Sequence, residues 1–326
     1  MEGVEHRTVR GIGGDIHVAV KGTESGGVVL LLHGLPDLWY SWRHQISGLA
    51  ALGFRAVAPD LRGYGDSFAP PEISSYTAFH IVGDLVAVIS AVTASDDEKI
   101  FVVGHAWGAL MAWYLCLVRP DKIKGLINLG VPFNFLPKDP SPAVKPLDGL
   151  RAFYGDDLYV CRFQEPGDIE KEFAEVGTER VMRRFLTYRT PWPFMIPKDK
   201  SFWGPLDSPI PLPSWLSEED VQYYVSKFEK TGFSGAVNSY RNFSRNDELL
   251  GPWLGLKITV PTKFIIGDLD HVYHMPGMKE YINGPKFKED VPLLEPPVVM
   301  EGVAHWINQE KPDEILQHIC DFINKF

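Results

Sequence analysis

Short apolar, β-branched runs alternate along this chain with segments of helical periodicity, and that alternation limits the possible folds more than any other feature. HVAV begins at residue 17, VVLLLHG at 28, FRAVAPD at 54, IFVVGH at 100, GLINLG at 125, KFIIGD at 263 and PVVMEG at 297. Between several of them lie WRHQISGLAALG, HIVGDLVAVISAV and ALMAWYLCLVRP, whose apolar residues recur three and four apart. The pattern predicts an α/β fold, a mostly parallel sheet with helices on both faces. The rhythm breaks between about Pro132 and Arg245, where proline, aromatic and charged residues crowd together and the regular parts look helical. One of them, SEEDVQYYVSKFEK, begins with a capping-box pattern at Ser217. We therefore expect a core domain formed by residues 1–132 and 246–326, with a helical cap, 133–245, inserted over the sheet.

Composition excludes several functions. The 326 residues carry 32 Lys and Arg against 42 Asp and Glu, a formal charge of -10 without a long block of like charge. Neither nucleic acid nor an anionic membrane is an expected partner. Cys116, Cys161 and Cys320 are too scattered for a disulfide framework or zinc site and read as small buried hydrophobes in a reducing compartment. The N-terminal stretch lacks a signal-peptide apolar region, no apolar run is long enough to span a bilayer, and the terminal NKF is not a peroxisomal address. A cytoplasmic protein, monomer or homodimer, without a membrane anchor is expected.

Gly104-His105-Ala106-Trp107-Gly108 follows a strand run and opens a helix, the context of a nucleophile elbow. Its apex, however, is a methyl group. Ligands of such sheets bind beyond the carboxyl ends of the strands. There KFIIG leads into Asp268-Leu269-Asp270, and PVVMEG leads to His305, giving the chain order apex, acid, histidine. Asp268 and Asp270 both compete for the acid role. Early in the chain, VVLLLHG leads into Leu35-Pro36-Asp37, and the Leu35 N–H can join that of Trp107 as an oxyanion hole. Trp107 itself reads equally as core or as the wall of a substrate tunnel. His271 and His274 lack a further ligand cluster, so no metal is expected.

HGLPDLWYSWRHQ, VAPDLRGYGDS, VVGHAWGA, GDLD and GVAHWINQEKP together resemble soluble epoxide hydrolases of the α/β-hydrolase superfamily, most closely the plant type. The likeness runs over nearly the whole chain and implies the α/β-hydrolase fold, no cofactor, and a small-molecule epoxide converted to a vicinal diol. In that family the position of Ala106 holds an aspartate that attacks the epoxide to form an alkyl-enzyme ester. Water activated by His305, oriented by Asp270, then hydrolyses the ester. The resemblance selects Asp270 over Asp268, and Tyr154 and Tyr240 as the cap tyrosines that protonate the leaving oxygen. It also implies that Asp37, glutamate in close relatives, holds the hydrolytic water with help from His105, and that Leu35-Pro36 is cis.

Three accounts of Ala106 follow. One is an epoxide hydrolase whose nucleophilic aspartate is replaced so that ligand binds without forming an ester. The second is a non-catalytic receptor or pseudoenzyme. The third is a variant of an esterase or haloalkane dehalogenase, against which the cap tyrosines and Leu35, respectively, argue. The intact Asp270, His305 and HGLP turn favour the first.

Overall fold

The computed structural model describes residues 2–23, 26–133 and 146–326; the expected proline-rich start of the cap, 134–145, lies outside them. Eight strands form one sheet: β1 (Glu5–Arg10), β2 (Asp15–Lys21), β3 (Val28–Leu32), β4 (Arg55–Pro59), β5 (Ile100–His105), β6 (Ile123–Leu129), β7 (Thr262–Gly267) and β8 (Val298–Met300). Their order is β1-β2-β4-β3-β5-β6-β7-β8. The β1·β2 and β2·β4 pairs are antiparallel; every later pair is parallel. The expected mostly parallel α/β sheet is observed.

Alternation within the central strands divides the core in two. Val28, Leu30 and Leu32 of β3, with Ile100 and Val102 of β5, face one apolar cluster; Val29, Leu31, Phe101 and Val103 face the other. Continuous apolar runs are what a strand covered on both faces requires. Helix α1 (Arg43–Ala51) and the C-terminal helix Pro312–Ile323 supply Ile46, Leu49, Ile315 and Ile319 to one cluster. Helices α2 (Ala78–Val92) and α3 (Trp107–Val118) supply Ile81, Leu85, Leu110 and Met111 to the other. The three cysteines are free and buried.

Between β6 and β7 the described residues form the helices α4 (Pro146–Tyr154), α5 (Tyr159–Arg162), α6 (Asp168–Val176), α7 (Thr178–Leu186), α8 (Glu218–Thr231), α9 (Ser234–Tyr240) and α10 (Phe243–Leu249), and no named strand. The cap at Ser217 is present: its Oγ accepts from the Asp220 N–H at 3.1 Å, and Asp220 Oδ2 accepts from the Ser217 N–H at 2.9 Å. Among the described residues, no helix is long and apolar enough to cross a membrane.

Candidate active site

β5 ends at His105, and α3 begins at Trp107, so one residue makes the whole turn between them. That residue, Ala106, has φ 51° and ψ -119°, a backbone state costing on the order of 1–3 kcal/mol for a residue with a Cβ. Neighbouring contacts hold it there: its N–H donates to the Leu129 carbonyl at 3.3 Å, and its carbonyl accepts from the Leu110 N–H at 3.2 Å. The flanking glycines are required by space. A Cβ on Gly108 would lie 2.2 Å from the Leu32 carbonyl oxygen, and one on Gly104 would lie 2.6 Å from the Ala109 Cα. Gly108→Ala should therefore lower stability by roughly 1–3 kcal/mol, measured by denaturant unfolding; an unchanged midpoint would contradict this packing.

The loop after β3 closes over the elbow. A Cβ on Gly34 would stand 2.7 Å from the Ala106 Cβ and 2.9 Å from the Trp107 nitrogen, so only glycine lets the loop approach. The Leu35-Pro36 bond is cis, as expected. No hydrogen bond among the described residues engages the N–H of Leu35 or of Trp107. Two backbone donors thus stand unengaged beside the apex.

The acid and histidine come from the turns after β7 and β8. Asp270 is fully buried; its Oδ2 accepts from His305 Nδ1 at 2.9 Å and its Oδ1 from the Val272 N–H at 2.9 Å. Gly130, at φ 81°, leaves room for this pair, since a Cβ there would lie 3.0 Å from Asp270 Oδ2. Burial alone would raise the Asp270 pKa, but the adjacent His305 and the hydrogen bonds hold it below the usual carboxylate value. Asp268 instead ties the two turns together, its Oδ1 accepting from the Gly302 N–H at 2.7 Å. Asp270 is the carboxylate that touches the histidine.

Ala106, His305, Leu35, Trp107 and Tyr240 line one cavity together with Tyr159, Phe185, Phe194 and Phe243. Its volume is about 40 Å³. Trp107 is therefore a cavity wall, its ring 4.6 Å from that of Tyr240. Tyr154 does not belong to these walls: its hydroxyl is buried without a hydrogen-bond partner, and its ring packs on Phe153 and Trp192. Tyr159, rather than Tyr154, stands among the lining residues. The physical reason is a tertiary contact. α4 ends at Tyr154, and the chain then turns so that the Tyr159 N–H donates to the Phe194 carbonyl at 2.9 Å, fixing Tyr159 with its ring 5.8 Å from that of Tyr240. Burial raises the pKa of both phenols, Tyr240 well above the ordinary value.

Asp37 and His105 are fully buried behind the histidine. His105 Nε2 donates to the His305 carbonyl at 2.7 Å, and its Nδ1 lies 3.8 Å from Asp37 Oδ2; neither of these last two atoms has a hydrogen-bond partner among the described residues. His271, singled out in the sequence only as half of an unconvincing metal pair, lines the cavity beside His305. Burial, then the neighbouring His305, pushes its pKa down to about 3, so it is uncharged at neutral pH. His274 points elsewhere, its Nε2 donating to the Asp268 carbonyl at 2.6 Å.

An elbow after a central parallel strand, followed in chain order by an acid and a histidine, defines an α/β-hydrolase, and the α/β-hydrolase fold model matches residues 27–159. The chain is 55% identical to "Epoxide hydrolase 2" of Siraitia grosvenorii over the full length of both, and 35% identical to "Epoxide hydrolase A" of Mycobacterium tuberculosis over 94% of each. Among solved structures, it is similar to potato (Solanum tuberosum) epoxide hydrolase I, with 53% identity and a TM-score of 0.92 over 99% of this chain and 100% of that one. A Vigna radiata epoxide hydrolase mutant matches at 54% identity and a TM-score of 0.93, with both chains fully covered. The chain belongs to the epoxide hydrolase family of α/β-hydrolases.

Proposed function

We propose that this chain binds epoxides in the cavity over the elbow but lacks the carboxylate needed to turn them over, Ala106 standing where the family's nucleophilic aspartate would stand. The observation that carries this reading is the convergence of Ala106, His305, Trp107 and Tyr240 on one apolar cavity, with the Asp270–His305 hydrogen bond intact. A carboxylate at the apex would attack an epoxide carbon, opening the C–O bond and forming an ester. The departing alkoxide would take a proton from a phenol above it. His305 Nε2 would then remove a proton from water as its oxygen attacks the ester carbonyl, while the N–H groups of Leu35 and Trp107 stabilise the oxyanion. Asp37 Oδ2 and His105 Nδ1 are unpartnered polar atoms 3.8 Å apart, which suits a water that bridges them close to His305.

Tyr240 and Tyr159 are the proton donors in this reading, with residues 133–245 as the cap that carries them. In an Ala106→Asp background, Tyr240→Phe and Tyr159→Phe should each slow ester formation by roughly 10²-fold or more, with Tyr154→Phe within a few-fold of its parent. Pre-steady-state mass spectrometry checks this; a larger loss in Tyr154→Phe than in Tyr159→Phe would restore the assignment made from sequence. Because raised phenol pKa values keep the donor form, the same ester-forming rate should hold level to about pH 10. A half-loss near pH 9 would contradict two buried phenols as the acids.

The chain as written should retain an intact epoxy fatty acid or small aryl epoxide without a covalent adduct. We place it in the cytoplasm, as a monomer or homodimer. A receptor that abandoned catalysis has no need of the buried Asp270–His305 pair, which retains a buried carboxylate at an energetic cost. That argues for a catalytic scaffold missing one group.

A further inference from the structure

The turn after β7 sets two histidines against one carboxylate. Asp270 Oδ2 is 2.9 Å from His305 Nδ1, and its Oδ1 is 3.5 Å from His271 Nδ1. One ligand atom from each of the three residues lies within 4.8 Å of the others, and the two imidazole centroids are 4.6 Å apart. His271 is 3% exposed, and its Nδ1 has no hydrogen-bond partner. Both rings line the cavity.

We propose that Asp270, His271 and His305 form a site for one first-row divalent cation of the zinc type. Zinc binds imidazole nitrogen and carboxylate oxygen at about 2.0–2.2 Å, so an ion held by the two Nδ1 atoms and Asp270 would replace the proton now shared between Asp270 and His305. Two nitrogens and one carboxylate suit zinc, cobalt or iron better than calcium or magnesium, which take oxygen ligands in larger number. The pairing suggested by sequence proximity, His271 with His274, is not the site, because His274 is turned to the Asp268 carbonyl. The third ligand arrives from a turn 35 residues further along.

The ion's chemical effect follows from the tautomer it selects. With Nδ1 of His305 on the metal, that ring's proton resides on Nε2, and the nitrogen facing the cavity no longer accepts one from water. Zinc thus acts as an inhibitor of the water-activating step. The existence of the site does not depend on the epoxide reading; this consequence does.

The test uses the chain as written. Titration with Co²⁺, followed by its visible d–d absorption, and with Zn²⁺ in competition with a chromogenic chelator should each report one equivalent bound, with a matching rise in melting temperature. His271→Leu, His271→Gln and His305→Gln should each weaken binding by more than about 10-fold, the lower edge even for an indirect partner. His274→Gln should leave it unchanged, as should His17→Gln in the separate His17, Asp60 and Asp66 cluster. The paired Leu and Gln substitutions, with thermal melts, separate loss of a ligand from loss of fold. Absence of saturable binding, binding that survives both His271 substitutions, or binding lost with His17 or His274 would overturn the proposal. In an Ala106→Asp background, Zn²⁺ should suppress diol formation reversibly with chelator, and His271→Leu should blunt the effect. The binding measurements stand whether or not that background turns over epoxide.

Discussion

Ala106→Asp should raise diol formation by roughly four orders of magnitude or more, the scale set by losing a central nucleophile from a comparable triad. An alanine methyl cannot form the ester, whereas Leu35, Trp107, Tyr159, Tyr240 and His305, the other groups the proposed steps use directly, line the cavity. The substitution should also be tolerated. Aspartate accepts positive φ more readily than alanine, and the unengaged N–H groups of Leu35 and Trp107 lie beside the apex to receive a carboxylate. Diol release from an epoxy fatty acid and from a small aryl epoxide, with a thermal melt of both proteins, measures the two claims together. Turnover by the chain as written within about tenfold of the variant would mean that another group does the chemistry.

Adding His305→Gln to that background should separate the two chemical steps. Ester formation needs the apex carboxylate and the phenols, and should persist; hydrolysis needs a base, and should fall by roughly 10⁴-fold. The protein should then accumulate an adduct of one epoxide mass. Asp270→Asn should behave in the same direction, because it turns an acceptor of the His305 Nδ1 proton into a group that can hold the wrong tautomer. An undiminished steady-state rate in the double variant, or no adduct in intact mass spectra, would remove His305 from the hydrolytic step.

The parts of this site readable from sequence were those fixed by local sterics and by chain order. The elbow announces itself because the small residues Gly104, Gly108 and Ala109 stand within three positions of the apex, although the contact that requires Gly108 comes from Leu32 on another strand, and Asp270 and His305 each follow an apolar run that reads as a strand, β7 buried and β8 half-buried. The parts that escaped depend on tertiary placement. β1, EHRTVR, is an edge strand whose side chains are mostly exposed or half-buried, so it lacks an apolar signal and was not among the strands expected. Tyr154 and Tyr159 lie five residues apart across the turn that ends α4, and nothing local says which ring reaches the cavity; the backbone bond from Tyr159 to Phe194, distant in sequence, decides it. His271 was legible only as a neighbour of His274. Its proximity to His305 is created by the convergence of β7 and β8, whose partners Ile265 and Val298 are remote in the chain.

The central claim, a competent hydrolytic site lacking only its nucleophile, is tested most directly by a single turnover of the Ala106→Asp variant in water enriched in oxygen-18, with mass spectrometry of both protein and product. The ester route predicts that the first diol carries no label, because its new oxygen comes from the protein, while the label enters the introduced carboxylate at position 106. Label in the first diol, with none in the protein, would mean direct attack by water and would contradict the account.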